Sequence, residues 1–537
     1  MSFVLTALTF LPFVGALIAY SSGWLTRSQT SQQSLVTGLN GEENLQPGDV
    51  RPIETEARTN LSAGENERRP IAYYVAIVFT LVTFLISLYS FSYVYSNSPP
   101  PGQYALTESY NWVSTHAFGL NYLVGIDGLS SPLLLLSTLL SFLAVFGSRN
   151  MISSHQTTYY SLLLFLEGSM IGVFVSLNLI AFYIFWELAL IPVFFFIGIW
   201  GGDRRKYAAL KFIIYTFGGS IIMLLGFLSV YLGVTPQTFD IPDLAGKIPA
   251  GLQYLPLLAT FIGFGVKMPV FPFHDWQPDA YQQAPAPIGV MLAGVLPKFA
   301  GYGFIRITVE LFPQAAHQYA WAFIIIGIVS MFYGAFVAIL SKDLKRMFAY
   351  TSINHMGFVV FGTFATVLTG NLLGIEGAIL QMFASGFAIA SLFMLSGYIE
   401  IQAGTTQISL LKGIRQWMPI TATLLVVASC AAMGLPPFVS FLAEVFVILG
   451  GIAANYFTAI TILVPVITGA YFLWMLKRTV LTAGDELKTV RDMSNIDAGV
   501  FVIYIIPLIA ATIFSFLILS PSIPVAQWIT HLVQGVH

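Results

Sequence analysis

Runs of about twenty apolar residues recur along this chain from end to end, and no other feature constrains its fold as strongly. A helix needs about 20 apolar residues to cross a membrane, and it satisfies its backbone hydrogen bonds within itself. Of the 537 residues, 56% are hydrophobic and 9% are charged, whereas a soluble protein carries about 25% charged residues. The sequence therefore predicts an all-α polytopic membrane protein.

We expect about fourteen transmembrane spans, numbered in chain order. They lie near residues 3–22, 71–95, 128–148, 156–176, 178–200, 207–233, 253–276, 285–311, 318–340, 343–366, 371–401, 416–450, 452–476 and 499–521. The twelfth is expected to be one long or broken span.

The span pattern divides the chain into five segments. Residues 1–127 hold the first two spans, a flexible polar loop over 26–70 and an ordered cap over 96–127 on one membrane face. The other segments are span 3 (128–155), a first repeat of spans 4–8 (156–311), a second repeat of spans 9–13 (318–476), and the last loop, span and tail (477–537).

Basic residues predict the orientation of the chain. Most of the 23 lysines and arginines fall in the loops after odd-numbered spans, and Lys247 alone is expected on the opposite face. Short basic loops stay on the cytoplasmic side of a membrane. Both termini are therefore expected on the other side.

Composition also excludes several classes of function. A formal net charge of −2 provides no basic field for nucleic acid. The single cysteine, Cys430, excludes iron–sulfur clusters, thiolate zinc sites and intramolecular disulfides. The histidines show no paired spacing that indicates haem. We therefore expect no cofactor on this chain.

Four ionisable residues interrupt apolar spans: Glu187 in "AFYIFWELALIPVFFF", Lys267 in "VKMPVFPFH", Lys298 in "GVMLAGVLPKFAGYGF" and Glu444 in "FLAEVFVILGG". A charge within a membrane is costly and usually functional. Each could be a structural ion pair or a snorkelling side chain. Two acids and two lysines on separate spans instead favour proton transfer, because a buried lysine can release its proton near neutral pH whereas arginine stays charged.

Three further residues are candidates for the same path. Lys211 belongs either to a relay near the basic face or snorkels to that face. His274 and His355 carry side chains that titrate near neutral pH. A lone histidine near a membrane surface is more often structural, and only the flanking lysines favour a relay role here.

Prolines are expected to break spans 7 and 12, at Pro269 and Pro272 and at Pro436 and Pro437. Proline removes a helical hydrogen bond, and membrane proteins tolerate the freed groups only where protein or water satisfies them. Transporters place such breaks at ion sites. The two breaks lie five spans apart, an odd number that predicts two inverted five-helix repeats.

The stretch "KMPVFPFHDWQPDAYQQAPAPIGVMLAGVLPKFAGYGFIRITVELFP" resembles the signature of antiporter-like membrane subunits of respiratory complex I, and so does "DLKRMFAYTSINHMGFVVFG". The pieces "VELFPQAAH" and "GAILQMFASG" look most like chain 4 of the cyanobacterial and plastid NAD(P)H–quinone oxidoreductase. The resemblance covers roughly residues 120 to 480.

This resemblance implies two inverted repeats with broken helices 7 and 12, and a polar axis across the middle of the membrane. The family's polar groups match, residue by residue, Glu187, Lys267, Lys298 and Glu444, with flanking histidines at His274 and His355. The chain also departs from the family. Ser385 stands where a histidine is usual, Pro297 replaces an apolar residue, and the loop over 26–70 is long. These departures suggest a divergent paralogue.

The resemblance further implies a proton-translocating, non-redox subunit of an NAD(P)H– or ferredoxin–plastoquinone oxidoreductase, in a thylakoid membrane with both termini lumenal. Plastoquinone and iron–sulfur clusters would belong to partner subunits. Expected partners are neighbouring antiporter-like chains, hydrophilic-arm subunits, lipids and, in a carbon dioxide-uptake variant left open here, a hydration module. A Na⁺/H⁺ antiporter subunit and a structural spacer are the alternatives; the intact charges argue against the spacer.

Overall fold

The computed structural model describes residues 3–37, 69–114, 119–484 and 490–535. Thirteen of the described helices are long and apolar enough to cross a membrane, which confirms the all-α polytopic class. Spans 7 and 12 are not among the thirteen, since each is broken at a proline-containing segment. A helix beyond span 14 is among them.

The unbroken spans are Val4–Thr37, Ile71–Asn97, Ser130–Gly147, Gln156–Val175, Arg205–Gly233, Pro313–Leu340, Leu344–Thr369, Leu373–Ala403 and Asn495–Ile513. Span 5 consists of Leu179–Leu188 and Leu190–Trp200, span 7 of Ala250–Lys267 and Trp276–Gln283, and span 12 of Pro419–Ala432 and Val439–Ala454. Span 8 consists of Ala286–Gly294, Leu296–Gly303 and the π-helical Phe304–Val309. Span 13 consists of the 3₁₀ segment Tyr456–Ile462, Leu463–Leu476 and the π-helical Lys477–Leu481. Short helices at Ile241–Leu244 and Ile414–Trp417 lie between spans.

The first helix runs further than the sequence predicts. It continues to Thr37, so the polar loop expected from residue 26 does not begin there. The segment "RSQTSQQSLVT" contains neither glycine nor proline, so nothing in it stops a helix before Gly38. Residues 38–68 of the predicted loop lie outside the described residues.

The cap segment contains a two-stranded antiparallel β-hairpin, Ala105–Ser114 with Gly119–Ile126. Its Glu108 carboxylate accepts hydrogen bonds from the backbone N–H groups of Leu5 at 2.9 Å and Thr6 at 3.2 Å. The first N–H groups of a helix have no partner within the helix and favour an anion. The hairpin therefore caps span 1 and fixes its start to this face.

Span 14 ends at Ile513 rather than near residue 521, and a terminal helix follows at Phe516–Gln534. Its buried residues recur every three or four positions, which is typical of a helix lying on a surface. Along its length it approaches Gly128, Gly102, Glu310, Gly246 and Gly370. Each of these residues lies at the end of an even-numbered span or in the loop that follows one. The terminal helix therefore lies across the face opposite the basic loops instead of crossing the membrane, a distinction that apolar length alone does not make.

The core consists of spans 4, 8, 10 and 11, whose most apolar windows are at least 83% buried inside the chain. Spans 8 and 11 cross at their backbones. A side chain on Gly294 would meet the Gly386 carbonyl oxygen at 3.3 Å, and one on Gly386 would meet the Gly294 carbonyl oxygen at 3.1 Å. Polar side chains on these inner spans therefore face protein.

Gly128→Ala is expected to loosen the terminal helix. An added methyl group at Gly128 would overlap the main-chain carbonyl of Pro521, and such overpacking costs about 1–3 kcal/mol. Limited proteolysis should cut the terminal helix faster in this variant. Gly251→Ala is the control, because that position has open space around it. Equal cleavage rates in the two variants would show that the contact with Pro521 does not hold the helix.

Candidate functional site

Lys267 is the last residue of the first half of span 7, and its side chain lies inside the protein. It is 2% exposed. Its ammonium nitrogen lies 3.5 Å from the Trp186 carbonyl oxygen and 4.7 Å from the centroid of the Trp186 ring. A helix C-terminus carries unpaired carbonyls and the negative end of the helix dipole, which favour a cation. The break thus places the lysine beside acceptors that carry no formal charge.

Glu187 follows Trp186 in span 5. Its carboxylate and the Lys267 ammonium attract each other electrostatically but make no direct ion pair, and Glu187 Oε1 is buried without a hydrogen bond. Span 5 is interrupted at Ala189. Pro192 has no N–H, so it cannot make the helical hydrogen bond to the carbonyl of Leu188. The two charges are therefore near but separated, with the Trp186 carbonyl holding the lysine.

His274 lies in the broken segment of span 7, beyond Lys267 toward the basic face. It is 7% exposed, and its Nδ1 makes no hydrogen bond. Its ring packs against Phe271 at a centroid distance of 5.7 Å and against Tyr333 at 4.4 Å. These contacts fix the ring, and one ring nitrogen stays open to a proton.

Lys211 lies in a cluster of ion pairs at the basic end of the break. Its ammonium group lies 2.6 Å from Asp275 and 2.8 Å from Asp279, and Arg346 approaches Asp279 at 3.4 Å. The cluster ties the second half of span 7 to spans 6 and 10. A relay role for Lys211 stays a prediction beside this structural one.

Lys298 is fully buried in span 8. Its ammonium group donates to the Ala293 carbonyl oxygen at 2.9 Å. In an unbroken helix the N–H of residue 297 would bond to that carbonyl, but Pro297 has no N–H. The proline that departs from the family pattern therefore frees the acceptor that holds the lysine.

His355 in span 10 and Glu444 in span 12 continue the polar row. His355 is fully buried, and neither ring nitrogen makes a hydrogen bond of ordinary geometry. The Lys298 ammonium and the backbone of Ala432, at the break in span 12, are close enough to act on it. Glu444 is 3% exposed and lies against the break in span 12. A side chain on Gly434 (φ +68°) would meet Glu444 Oε2 at 2.5 Å. Glycine is therefore required there for both its conformation and its size.

The structure brings these residues together in two groups. Glu187 and Lys267 form one, and Lys298, His355 and the break beside Glu444 form the other. Between the groups, spans 7 and 8 pack through apolar side chains, with Met268 against Gly301 and Phe264 against Gly303. Proton exchange between the groups therefore needs water or movement at this contact.

Sequence reasoning missed two buried polar residues. Glu167 in span 4 is fully buried; its Oε1 accepts from Thr83 at 2.6 Å, and its Oε2 has no partner. Gln381 in span 11 is fully buried with both amide atoms unpartnered, one turn before Ser385. The Ser385 hydroxyl itself bonds within its own helix, to Met382 at 3.4 Å. Glu167 and Gln381 could have been identified from the sequence in the same way as the four charges, because each is a polar side chain inside an apolar span.

A third cluster lies under the terminal helix at the face opposite the basic loops. Arg306 in the π-helical segment pairs with Asp127 and, at 2.8 Å, with Glu310. Trp528 donates to Glu310 at 3.2 Å and the Tyr104 hydroxyl donates to it at 3.3 Å. This cluster joins span 8, the start of span 3, the cap and the terminal helix.

Chemically, the buried groups can hold and pass protons but offer no activated nucleophile. Among the described residues, no group of three or more histidine, cysteine or acidic side chains could hold a metal ion. A row of titratable groups, buried except for the half-buried Glu187 and placed at helix breaks, suits the transfer of small cations.

Comparisons with known proteins agree with this geometry. The family described as "NADH:quinone oxidoreductase/Mrp antiporter, TM" matches residues 176–469. The chain is 36% identical over 451 residues to NADH-quinone oxidoreductase subunit M of Rickettsia prowazekii, covering 83% of this chain and 89% of that one. It is 38% identical over 425 residues to NAD(P)H-quinone oxidoreductase chain 4 1 of Picosynechococcus, covering 77% and 78%.

Among solved structures, a chain of respiratory complex I from Thermus thermophilus with bound NADH superposes with a TM-score of 0.80. The match covers 98% of this chain and 99% of that one at 24% identity. At that level of identity the likeness concerns the fold.

Proposed function

Since the chain belongs to the NADH:quinone oxidoreductase/Mrp antiporter family of transmembrane subunits, we propose that it translocates protons as the subunit M of a quinone-reducing complex. The observation that carries this proposal is the row Glu187, Lys267, Lys298, His355 and Glu444. Four of these side chains are buried and Glu187 is half-buried, and the row follows the interruptions of spans 5, 7, 8 and 12. These charges lie in the protein interior, where a structural spacer would have no use for them.

In this proposal the protons move in response to electron transfer elsewhere. Lys267 and Glu187 change their separation, and the lysine releases its proton when its counter-ion moves away. The chain contributes no redox chemistry; the quinone and the iron–sulfur clusters belong to partner subunits. Neighbouring antiporter-like chains and hydrophilic-arm subunits are its expected partners. Its division into inverted repeats over 156–311 and 318–476 is part of the same proposal.

The finer assignment concerns which complex contains the chain. A plastoquinone-reducing complex of a thylakoid membrane, with lumenal termini and a carbon dioxide-uptake variant, stays a prediction from the sequence. The similarity to subunit M of Rickettsia prowazekii supports an NADH–quinone oxidoreductase at least as well as the similarity to the Picosynechococcus chain.

Purification of the tagged chain in mild detergent tests the function. Quinone-reducing subunits and NADH–quinone reductase activity are expected to copurify, and the complex in liposomes should acidify one compartment without sodium. Isolation with other antiporter subunits alone, together with sodium-dependent proton exchange, would support the cation-antiporter alternative that shares this family.

A further inference from the structure

We propose that span 8 carries a proton-release route from Lys298 to the face opposite the basic loops, through Tyr302 and the carboxylate of Glu310. This inference rests on the proposed function of proton translocation. It adds an exit and two transferring residues that are separate from the Glu187–Lys267 group and from the break in span 12.

The route follows one side of span 8. Lys298, Tyr302, Arg306 and Glu310 succeed one another at four-residue spacing, and each is at most 2% exposed. Side chains at this spacing lie on the same face about 5–6 Å apart. The π-helical segment Phe304–Val309 contains Arg306, and such segments occur frequently at functional sites. The four side chains thus form a line from mid-membrane to the face under the terminal helix.

Tyr302 is the residue in this line that has no evident structural role for its polar atom. Its ring packs among Phe174 at 5.7 Å and Phe182 at 6.3 Å, and the Arg306 guanidinium lies 5.7 Å from its centroid. Its hydroxyl is buried and makes no hydrogen bond of ordinary geometry, and the Arg306 guanidinium is close enough to act on it. A phenol both donates and accepts, so it can accept one proton while it gives up another. Packing alone would be served by phenylalanine.

The charges around Arg306 make Glu310 a proton acceptor. One guanidinium serves two carboxylates, Asp127 and Glu310, so the fully ionised trio carries a net negative charge in a buried site, which is costly. Asp127 also accepts the backbone N–H groups of Leu129 and Ser130 at 3.1 Å each, which stabilise its ionised form. The other contacts of Glu310 are neutral donors, so Glu310 is the carboxylate that gains the proton.

The cluster reaches the outer face through a crevice beneath the terminal helix. The crevice is lined by Pro99, Gln103, Tyr104, Asp127, Arg306 and Trp528. Gln103 is exposed, and the Trp528 indole N–H bonds to Glu310. A proton on Glu310 is therefore one side chain away from the surface, with Trp528 covering it.

One proton moves from Lys298 to Glu310, and the other groups keep their charges. The Lys298 ammonium gives a proton through a bridging water molecule to the Tyr302 oxygen, while the Tyr302 hydroxyl proton passes through a second bridging water molecule beside Arg306 to the Glu310 carboxylate. Lys298 becomes a neutral amine, Tyr302 is unchanged and Glu310 becomes a neutral acid. Glu310 then gives its proton to a water molecule that enters from the crevice past Tyr104 and Trp528, which both line the crevice and bond to Glu310. Arg306 and Asp127 keep their charges throughout.

Tyr302→Phe in the assembled complex tests the route, since it removes only the hydroxyl. Loss of a positioned proton-transfer group typically costs at least about a hundredfold in its step. The proton-to-electron ratio in liposomes should therefore fall, while quinone reduction with an uncoupler stays normal. Glu310→Gln should give the same result. Tyr504→Phe is the matched control, because Tyr504 is also buried with an unbonded hydroxyl but lies in span 14.

An unchanged ratio in Tyr302→Phe overturns the route, even if Glu310→Gln prevents assembly. Lys267→Ala, measured in parallel, separates this failure from failure of the proposed function. A normal ratio in Tyr302→Phe with a lowered ratio in Lys267→Ala rejects only the exit. Normal ratios in both variants reject proton translocation by this chain.

Discussion

Replacement of Lys267 by alanine is expected to abolish proton translocation through this chain while the complex still assembles. The side chain is buried beside the Trp186 carbonyl and interacts with Glu187, and no other lysine lies in the broken span. Alanine removes the proton-binding group at the end of the first half of the span, and His274 lies beyond it, toward the basic face, and cannot take its place beside Glu187. Loss of a positioned proton-transfer group typically costs at least about a hundredfold. The measurement is the proton-to-electron ratio of the purified complex in liposomes.

Two further variants sharpen this test. Lys267→Arg keeps a cation over the Trp186 ring but cannot release its proton, so it should fail as Lys267→Ala does. Lys247→Ala, at an exposed position, should behave as wild type. Restoration of pumping by arginine would mean that Lys267 supplies only a fixed charge.

Glu444→Gln is expected to have an effect of similar size in the second repeat. Glutamine matches the shape of the glutamate against Gly434 but cannot ionise, so packing survives while a proton-binding group is lost. Steady-state pumping should fall at least about a hundredfold. Glu376→Gln is the matched control, because Glu376 lies in the first turn of span 11 at the outer face.

Gly434→Ala provides an independent check on Glu444. The added methyl group would meet the carboxylate at 2.5 Å, at a backbone φ of +68°, so it should displace Glu444 without removing it. An intermediate loss of pumping is expected. If Glu444→Gln pumps normally while Gly434→Ala does not, the break itself matters rather than the acid.

The positions of the polar row could be identified in the sequence because each charge interrupts an apolar span, and its role in proton transfer stays a prediction. Prolines likewise predicted the breaks in spans 7 and 12, since the missing N–H is a local property of the residue. The same reasoning applied to "LLLFLEGSM" would have found Glu167, which was overlooked.

Other features depend on contacts distant in sequence. The ion pairs of Lys211 involve acids more than sixty residues away. The terminal helix is apolar enough to be counted as a span, and only its contacts with the even-numbered ends show that it lies along one face. The sequence also could not predict that apolar side chains separate Lys267 from Lys298, because this separation depends on how spans 7 and 8 pack.

The close contact between Gly294 and Gly386 limits how the two repeats can move. Span 8 lies in the first of the two proposed repeats and span 11 in the second, and their backbones touch without intervening side chains. Two helices in such contact can neither approach further nor slide freely, because the carbonyl oxygen of each glycine lies against the backbone of the other helix. In the proposed transport cycle, spans 8 and 11 are therefore expected to rotate about this contact rather than slide past each other. Lys298, one turn from Gly294, lies close to that axis and moves least, whereas Glu187 and Glu444, farther out on their own spans, can swing.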